Sequence, residues 1–314
     1  MIVFRDPADV PSDFGPTVVA IGKFDGVHLG HQAVIRRMRE IAAQSDARSV
    51  AVTFDRNPLA VLRPDRCPES LVDVDRKVEL LAEQDLDATV VLTFDEELAS
   101  RSPERFVTEI LVEALHVQAV LVGADFRFGH KGAGTPELLR ELGEHYGFTV
   151  EEVDDILPDS GSGRRVSSTW IRECLADGDV EGAAHLLGRP VSVRGEVVHG
   201  AQRGRELGFP TANLAERVDA LVPADGVYAG WLYDGDDRYP AAISVGSNPT
   251  FDDVVRKQVE AYVIDQTGLD LYGHEVTIEF VSRLRGMVAF DGIDPLVTQM
   301  QADVDAARDL LTPR

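Results

Sequence analysis

Two imidazoles three residues apart, His28 and His31 around Gly30, lie in the segment G-K-F-D-G-V-H-L-G-H at residues 22–31. Just upstream, Thr17, Val18, Val19, Ala20 and Ile21 form an apolar, largely β-branched run that predicts a buried strand. The run stops at Gly22, turns through Gly26, and re-emerges at Gly30 as a helix-like stretch ending near Ala43. The histidines therefore fall where a helix begins, and unpaired N–H groups there hold anions. Glycines on either side let the backbone approach a ligand closely. Gly22, Phe24, Asp25 and Gly26 belong to the same turn, and the whole suits a nucleotide triphosphate better than a packed core.

Two more segments could join that chemistry. Ser167, Ser168 and Thr169 precede Trp170, Ile171 and Arg172, with Arg164 and Arg165 just before them. Hydroxyls and free N–H groups at a helix start, with guanidinium forks, grip phosphate oxygens. Taken alone, the same residues read equally well as an ordinary helix cap with solvated arginines. Residues 123–129 (G-A-D-F-R-F-G) follow an apolar run at 118–123 and put Asp125 at a strand end, where ligands bind in open α/β sheets.

A separate constellation spans residues 195–213, G-E-V-V-H-G-A-Q-R-G-R-E-L-G-F-P-T-A-N. Gly195, Gly200, Gly204 and Gly208, with Arg205 among them, allow N–H groups to face phosphates at close range. Thr211 and Asn213 offer two neutral oxygens on one side of an extended segment, suited to Mg²⁺ carried in with a nucleotide. A glycine-rich hairpin with turn residues is the plain alternative. Glu260, in V-E-A-Y-V, reads by alternation alone as a solvent-facing strand residue.

The elements that must position these residues change character along the chain. Up to residue 187, apolar runs at 17–22, 48–54, 88–94 and 118–123 alternate with helix-like segments at 31–44, 75–84, 103–114 and 136–146. Such alternation predicts a parallel sheet with helices on its faces. Asp179 is placed to cap a helix through Ala183 and Leu187, with Gly188 and Pro190 closing it. Beyond it, short alternating runs at 191–198, 226–233, 239–246, 259–264 and 276–281 predict an antiparallel barrel, with a closing helix from about Pro295 to Leu311. The division falls between a domain of residues 1–187 and one of residues 188–314.

The chain has 314 residues, 44% of them hydrophobic, and a formal net charge of −23. That charge argues against a nucleic-acid surface, which needs a basic field. Four windows (28–39, 126–136, 160–172 and 199–205) contain no acidic residue and carry Arg, Lys or His beside Gly, Ser or Thr. They predict positive pockets in a negative surface. No stretch approaches the roughly 18 apolar residues of a membrane span. The opening M-I-V-F-R-D-P-A-D-V lacks a signal-peptide pattern, so a cytoplasmic location is expected. Cys67 and Cys174 read as packing residues, as do Trp170 and Trp231, and His145, His185 and His274 show no ligand spacing. No feature of the sequence sets an oligomeric state.

In this order, G-x-F-D-G-V-H-x-G-H, D-F-x-F-G and S-S-T-x-I-R resemble the FMN adenylyltransferase module of bacterial bifunctional riboflavin kinase/FAD synthetases. The resemblance implies a Rossmann-like nucleotidyltransferase fold in which FMN phosphate attacks the α-phosphorus of ATP and pyrophosphate leaves. By matching positions, His28 and His31 would stabilise transition-state charge, Ser168, Thr169 and Arg172 would grip the β/γ end, and Asp125 would line the nucleotide or flavin side. One departure is Phe54-Asp55-Arg56-Asn57-Pro58, where the family often reads F-D-P-H-P; Asn57 can hydrogen-bond but carries no charge. G-R-x-L-G-F-P-T-A-N resembles the riboflavin kinase module, and Asn248-Pro249-Thr250-Phe251, Asp270-Leu271-Tyr272-Gly273, Leu284-Arg285, Gln299, Asp303 and Arg308 extend the match. This implies a six-stranded flavin-binding barrel that phosphorylates the riboflavin 5′-hydroxyl with MgATP, with Glu260 as base and Arg285 near the substrate. Riboflavin, FMN and ATP are the expected small-molecule partners, with neither nucleic acid nor membrane among them. The rival readings are a kinase with a weak or inactive adenylyltransferase module, a non-catalytic flavin sensor, and a relative of the tRNA synthetases.

Overall fold

The structure, a computed structural model, describes all residues except 155, 158–162, 201–206, 216, 250–254, 267 and 312–314. By its contacts the chain divides into two units, Met1–Ser167 and Ser168–Arg314.

The first unit is a six-stranded parallel sheet: β1 (Ile2–Phe4), β2 (Thr17–Ile21), β3 (Arg48–Phe54), β4 (Ala88–Leu92), β5 (Val117–Gly123) and β6 (Thr149–Val153), in the order β1-β4-β3-β2-β5-β6. β2 is buried along its whole length because successive side chains point to opposite faces and both faces are covered. Val18 and Ala20 meet Ile35 and Met38 of α1 (Leu29–Gln44). Val19 and Ile21 share a cluster with residues that follow β4 and β5. Three short helices come next: α2 (Leu59–Leu62), α3 (Val74–Ala82) and α4 (Glu96–Ser100). α3 lies on the α1 face, through Leu80 and Leu81. α5 (Pro103–Phe106) and α6 (Pro136–Tyr146) cover the other face.

The expected strands and helices are present. The sequence reading lacks β1 and β6, a three-residue strand and a partly exposed one, both at sheet edges, and the short helices α2 and α4. The expected helix at 103–114 begins as α5 and continues through Val107–Ala114 as a π-helix, Leu115 N–H reaching Ile110 O at 3.1 Å. From β2 the chain steps through α1 to β3 and then to β4, and returns to lay β5 on the opposite flank of β2. The carboxyl ends of β2 and β5 thus form the switch point, where open α/β sheets bind ligands.

The second unit starts with α7 (Ser168–Asp177) and α8 (Val180–Leu187). Asp179 caps α8, accepting from Gly182 N–H at 2.8 Å, and Gly188 closes it at φ 72°, as the sequence predicts. β7 (Val191–Val198), β8 (Thr211–Leu214), β9 (Gly226–Asp234), β10 (Asp237–Pro249), β11 (Val255–Val263) and β12 (Glu275–Arg285) close an antiparallel barrel in the order β10-β11-β8-β7-β12-β9. Arg283 joins α7 to the barrel, donating to Asp177 O and Asp225 O, both at 2.7 Å.

The closing helix, Ile293–Leu311, turns Val304, Ala307 and Leu311 into a cluster with Ala229 and Ala242 of the barrel. Its Asp303, buried, takes Arg285 as a fork, Nε to Oδ1 at 2.9 Å and Nη2 to Oδ2 at 2.7 Å, and a third bond from Gln299 at 2.9 Å. Removing the acceptor leaves a half-buried guanidinium without its fork. Asp303→Ala is therefore expected to lower the second unit's stability by about 2 kcal/mol, read from its denaturant midpoint.

Candidate active site

At the end of β2, Gly22 N–H still bonds to Val52 O at 3.0 Å, and then the backbone departs sharply from a strand. Phe24 (φ 48°), Gly26 (φ 80°) and Val27 (φ 40°) all lie in the left-handed region. Glycine adopts it freely, but a β-branched valine there is strained by about 1–3 kcal/mol. The strain persists because packing holds it: Phe24 is 2% exposed and Val27 fully buried. Asp25 points away from solvent duty, its Oδ1 accepting Leu71 N–H at 2.8 Å.

This turn delivers His28 to the N-cap of α1. Its Nδ1 accepts the His31 N–H at 3.4 Å, which leaves Nε2 of the neutral ring as the proton-bearing nitrogen. The two imidazoles stack with centroids 3.7 Å apart and planes 16° off parallel, and Phe24 meets His31 edge-on at 5.3 Å. A Cβ at Gly30 would sit 3.1 Å from the His28 ring, so any larger residue there would push on that imidazole. His31 Nδ1 is buried with no hydrogen-bond partner. Burial, then His28, then Lys77 push the His31 pKa well below its ordinary 6.5. At neutral pH His31 is therefore an uncharged ring at a helix N-terminus, a polarising donor rather than a cation.

That depressed pKa has a consequence for stability. The unfolded chain binds a proton at His31 more readily than the folded one, so acid favours unfolding. The first unit is expected to hold its stability above about pH 6.5 and to lose it progressively as pH falls below, until the folded pKa is reached. Urea midpoints at about pH 7.5 and 5.5 measure this, and His31→Gln should flatten the difference.

Around the mouth of β3 lie charges of both signs. Asp55 accepts Phe94 N–H at 2.9 Å and pairs with Arg56 at 2.8 Å. Asn57 spends its Oδ1 on Leu59 N–H at 3.1 Å, starting α2. Lys77, on α3, is buried and donates to Phe54 O at 2.6 Å. The sequence reading passed over Lys77. Its only signal is a lysine on the apolar stripe that Leu80 and Leu81 continue. After β5, Asp125 forms an exposed ion pair with Arg165 at 2.8 Å, a contact worth about 0–1 kcal/mol and easily exchanged for a phosphate. Ser168, Thr169 and Arg172 sit in the first turns of α7 and are counted with the second unit. A cavity of about 560 Å³ lined by Arg5, Asp95, Arg101 and Glu109 opens beyond β4, away from the switch point, and Arg101 is already paired with Glu97 and Glu109.

In the second unit, strand pairing assembles what the sequence keeps far apart. β8 and β11 run antiparallel with Glu260 opposite Asn213 and Tyr262 opposite Thr211. Residues opposite one another in such a pair lie on one face with Cβ atoms about 5 Å apart. Asn213, buried, donates to Thr211 O at 3.0 Å and to its Oγ1 at 3.2 Å, and accepts from Gln258 at 3.2 Å. Burial raises the Glu260 pKa, opposed by the hydrogen bond from Thr211. A half-buried carboxylate with a raised pKa is a better proton acceptor than an exposed one. Glu260 thus departs from the solvent-facing reading that alternation alone allowed.

The glycines before Thr211 serve different ends. Gly200 lies against Asn213, so that a Cβ would overlap its side-chain amide. Gly195 lies inside β7 opposite Val276, and a Cβ there would press on Val218 at 3.2 Å. Gly208 makes a turn at φ 87°. Gly204, Arg205, Thr250 and Phe251 lie outside the described residues. Arg285 is held by Asp303 as described. Among the described residues no group of three or more His, Cys, Asp or Glu side chains could hold a metal, and no helix is long and apolar enough to cross a membrane.

A parallel α/β unit with a strained, histidine-bearing turn at its switch point, followed by a barrel that sets the Glu260 carboxylate opposite Asn213 with Thr211 bonded to both, is the architecture of a two-module group-transfer enzyme. The comparisons name the class more closely. Residues 10–170 match the FAD synthetase family and residues 187–311 the riboflavin kinase family. The chain is 36% identical over 292 residues to the bifunctional riboflavin kinase/FMN adenylyltransferase of Listeria monocytogenes, covering 93% of this chain and 91% of that one. The protein of the same description from Pseudomonas fluorescens is 37% identical over 296 residues, 94% and 93% of the two chains. A crystal structure described as a macrolide-efflux protein from Streptococcus pneumoniae superposes with a TM-score of 0.86, 32% identity and 98% of each chain. The chain belongs to the bifunctional riboflavin kinase/FMN adenylyltransferase family. Riboflavin, FMN and ATP are the substrates of this enzyme type, and both modules are present, which favours the two-step reading over a kinase alone.

Proposed function

We propose that this chain phosphorylates riboflavin to FMN at the barrel and transfers an adenylyl group from ATP to FMN in the first unit, with the residues below in charge. The observation that carries the reading is the register that sets Glu260 opposite Asn213, with Thr211 bonded to both. In the kinase step Glu260 takes the proton of the riboflavin 5′-hydroxyl as that oxygen attacks the γ-phosphorus, and ADP leaves. Thr211 and Asn213 are neutral oxygen donors beside a carboxylate, a set that fits a hard cation bringing most of its ligands from phosphate and water. Mg²⁺ is the proposed ion; bound there, it would neutralise phosphate charge.

In the adenylyl step a phosphate oxygen of FMN attacks the α-phosphorus of ATP and pyrophosphate leaves. His28 presents Nε2–H to the oxygens that gain charge, and the neutral His31 stacks behind it. Such reactions depend mainly on positioning and electrostatics. The Gly22–Gly26 turn lies against the phosphates, Arg165 exchanges Asp125 for a phosphate, and Ser168, Thr169 and Arg172 take the β/γ end. Asn57 and Asp125 line the substrate, and Arg285 braces the flavin side of the barrel through Asp303. The functional modules are assigned to residues 1–187 and 188–314, a division supported by matches that end at 170 and resume at 187. The protein is read as a cytoplasmic enzyme that acts on small molecules, without nucleic acid or membrane partners.

The test is chromatography of flavins from purified protein incubated with riboflavin and MgATP. FMN is expected first and FAD after it, both lost on chelation and restored by Mg²⁺. FMN that never proceeds to FAD would reduce the reading to the kinase.

A further inference from the structure

Lys77 is the one buried ammonium at the mouth of the sheet among the described residues, and packing alone gives no reason for its charge. Its place on the apolar stripe of α3 would be filled as well by methionine or leucine. Burying an ammonium is costly unless it is paired and hydrogen-bonded. Its hydrogen bond goes to Phe54 O at 2.6 Å, and it feels the charges of Asp25, in the strained turn after β2, and of Asp55, just beyond β3. Each of those carboxylates is fixed by a backbone N–H, from Leu71 and Phe94 respectively. Asp55 is also paired with Arg56 at 2.8 Å; carboxylates at this mouth oppose a triphosphate arriving at the His28–His31 turn, and each added positive charge reduces that repulsion.

We propose that Lys77 is a positioning residue of the adenylyl-transfer site: its ammonium ties α3 to the end of β3 and places a positive charge whose field reaches His31 and Asp25. The inference rests on the reading of His28 and His31 as the groups that meet the phosphates. Lys77 acts in two directions. Towards Asp25 and Asp55 it cancels negative charge, which lowers the cost of bringing in ATP. Towards His31 it disfavours protonation, together with burial and with His28 on the same helix. A ring kept neutral retains the donor and acceptor arrangement that stacks it under His28.

The experiment compares Lys77→Gln and Lys77→Met with the unaltered full-length protein, measuring FAD formation from FMN across pH and ATP concentration. Riboflavin phosphorylation by the same samples serves as an internal control, because that chemistry lies in the other unit. Both variants are expected to raise the ATP KM of adenylyl transfer about 10-fold or more, and to move the acid limb of its kcat/KM profile towards higher pH. Glutamine can still donate to Phe54 O, so a Lys77→Gln protein with the original KM and an unmoved acid limb would overturn the proposal, leaving only a hydrogen-bonding role. If the neutral variants lose the first unit's fold, Lys77→Arg decides: a recovered fold with recovered KM supports the charge, and a recovered fold with KM still raised about 10-fold overturns it. A parallel His31→Ala separates the two inferences. Loss of adenylyl transfer there with silent Lys77 variants refutes Lys77 alone, whereas full activity in His31→Ala refutes the histidine reading beneath it.

Discussion

Glu260→Gln is expected to cut FMN formation from riboflavin by about 10²–10⁴-fold, the usual contribution of a positioned general base, while FAD formation from supplied FMN continues. Glutamine keeps the size of the side chain and can still bond to Thr211, so the barrel should survive and the loss should fall on kcat. The physical basis is the Glu260 environment: opposite Asn213, half-buried, with a pKa raised by that burial. Amide nitrogen at this place cannot take the hydroxyl proton. The two assays, riboflavin with MgATP and FMN with MgATP, separate the sites within one sample. Undiminished kinase turnover in the variant would remove Glu260 from the mechanism.

The mirror experiment strikes the other site. His28→Ala is expected to lower FAD formation from FMN by about 10²–10³-fold, the scale of losing one donor to a charged transition state, with riboflavin phosphorylation unaltered. His28 also caps α1 through Nδ1, and its loss there costs about 1 kcal/mol of helix stability. His28→Asn restores an N-cap acceptor without an imidazole. Low activity in both variants assigns the effect to the ring Nε2–H. Recovery of adenylyl transfer in His28→Asn would make capping the whole of its role.

Much of this molecule was legible locally. The run Thr17–Ile21, the glycine-rich turn and the histidine spacing predicted a strand, a break and a helix start, and β2 and α1 lie there. Asp179 and Gly188 marked both ends of α8, and evenly spaced alternating runs predicted the barrel. Short or exposed edge strands such as β1 and β6 carry too few buried side chains to leave a pattern. Motif spelling identified the His28, Ser168 and Thr211 segments by resemblance, but gave no charge state and no partner.

Those came from packing. Sequence by itself determined the main alternation of strands and helices, the caps of α8 and the break after β2, because each is set within one helical turn or strand by periodicity, hydrogen-bonding side chains and glycine. Tertiary structure alone decided that Glu260 faces Asn213, that Arg285 is held by Asp303, that His31 is neutral and that Lys77 lies buried against Phe54 O. Register, desolvation and charge through space depend on which distant segments come together, and no local pattern of residue types encodes them.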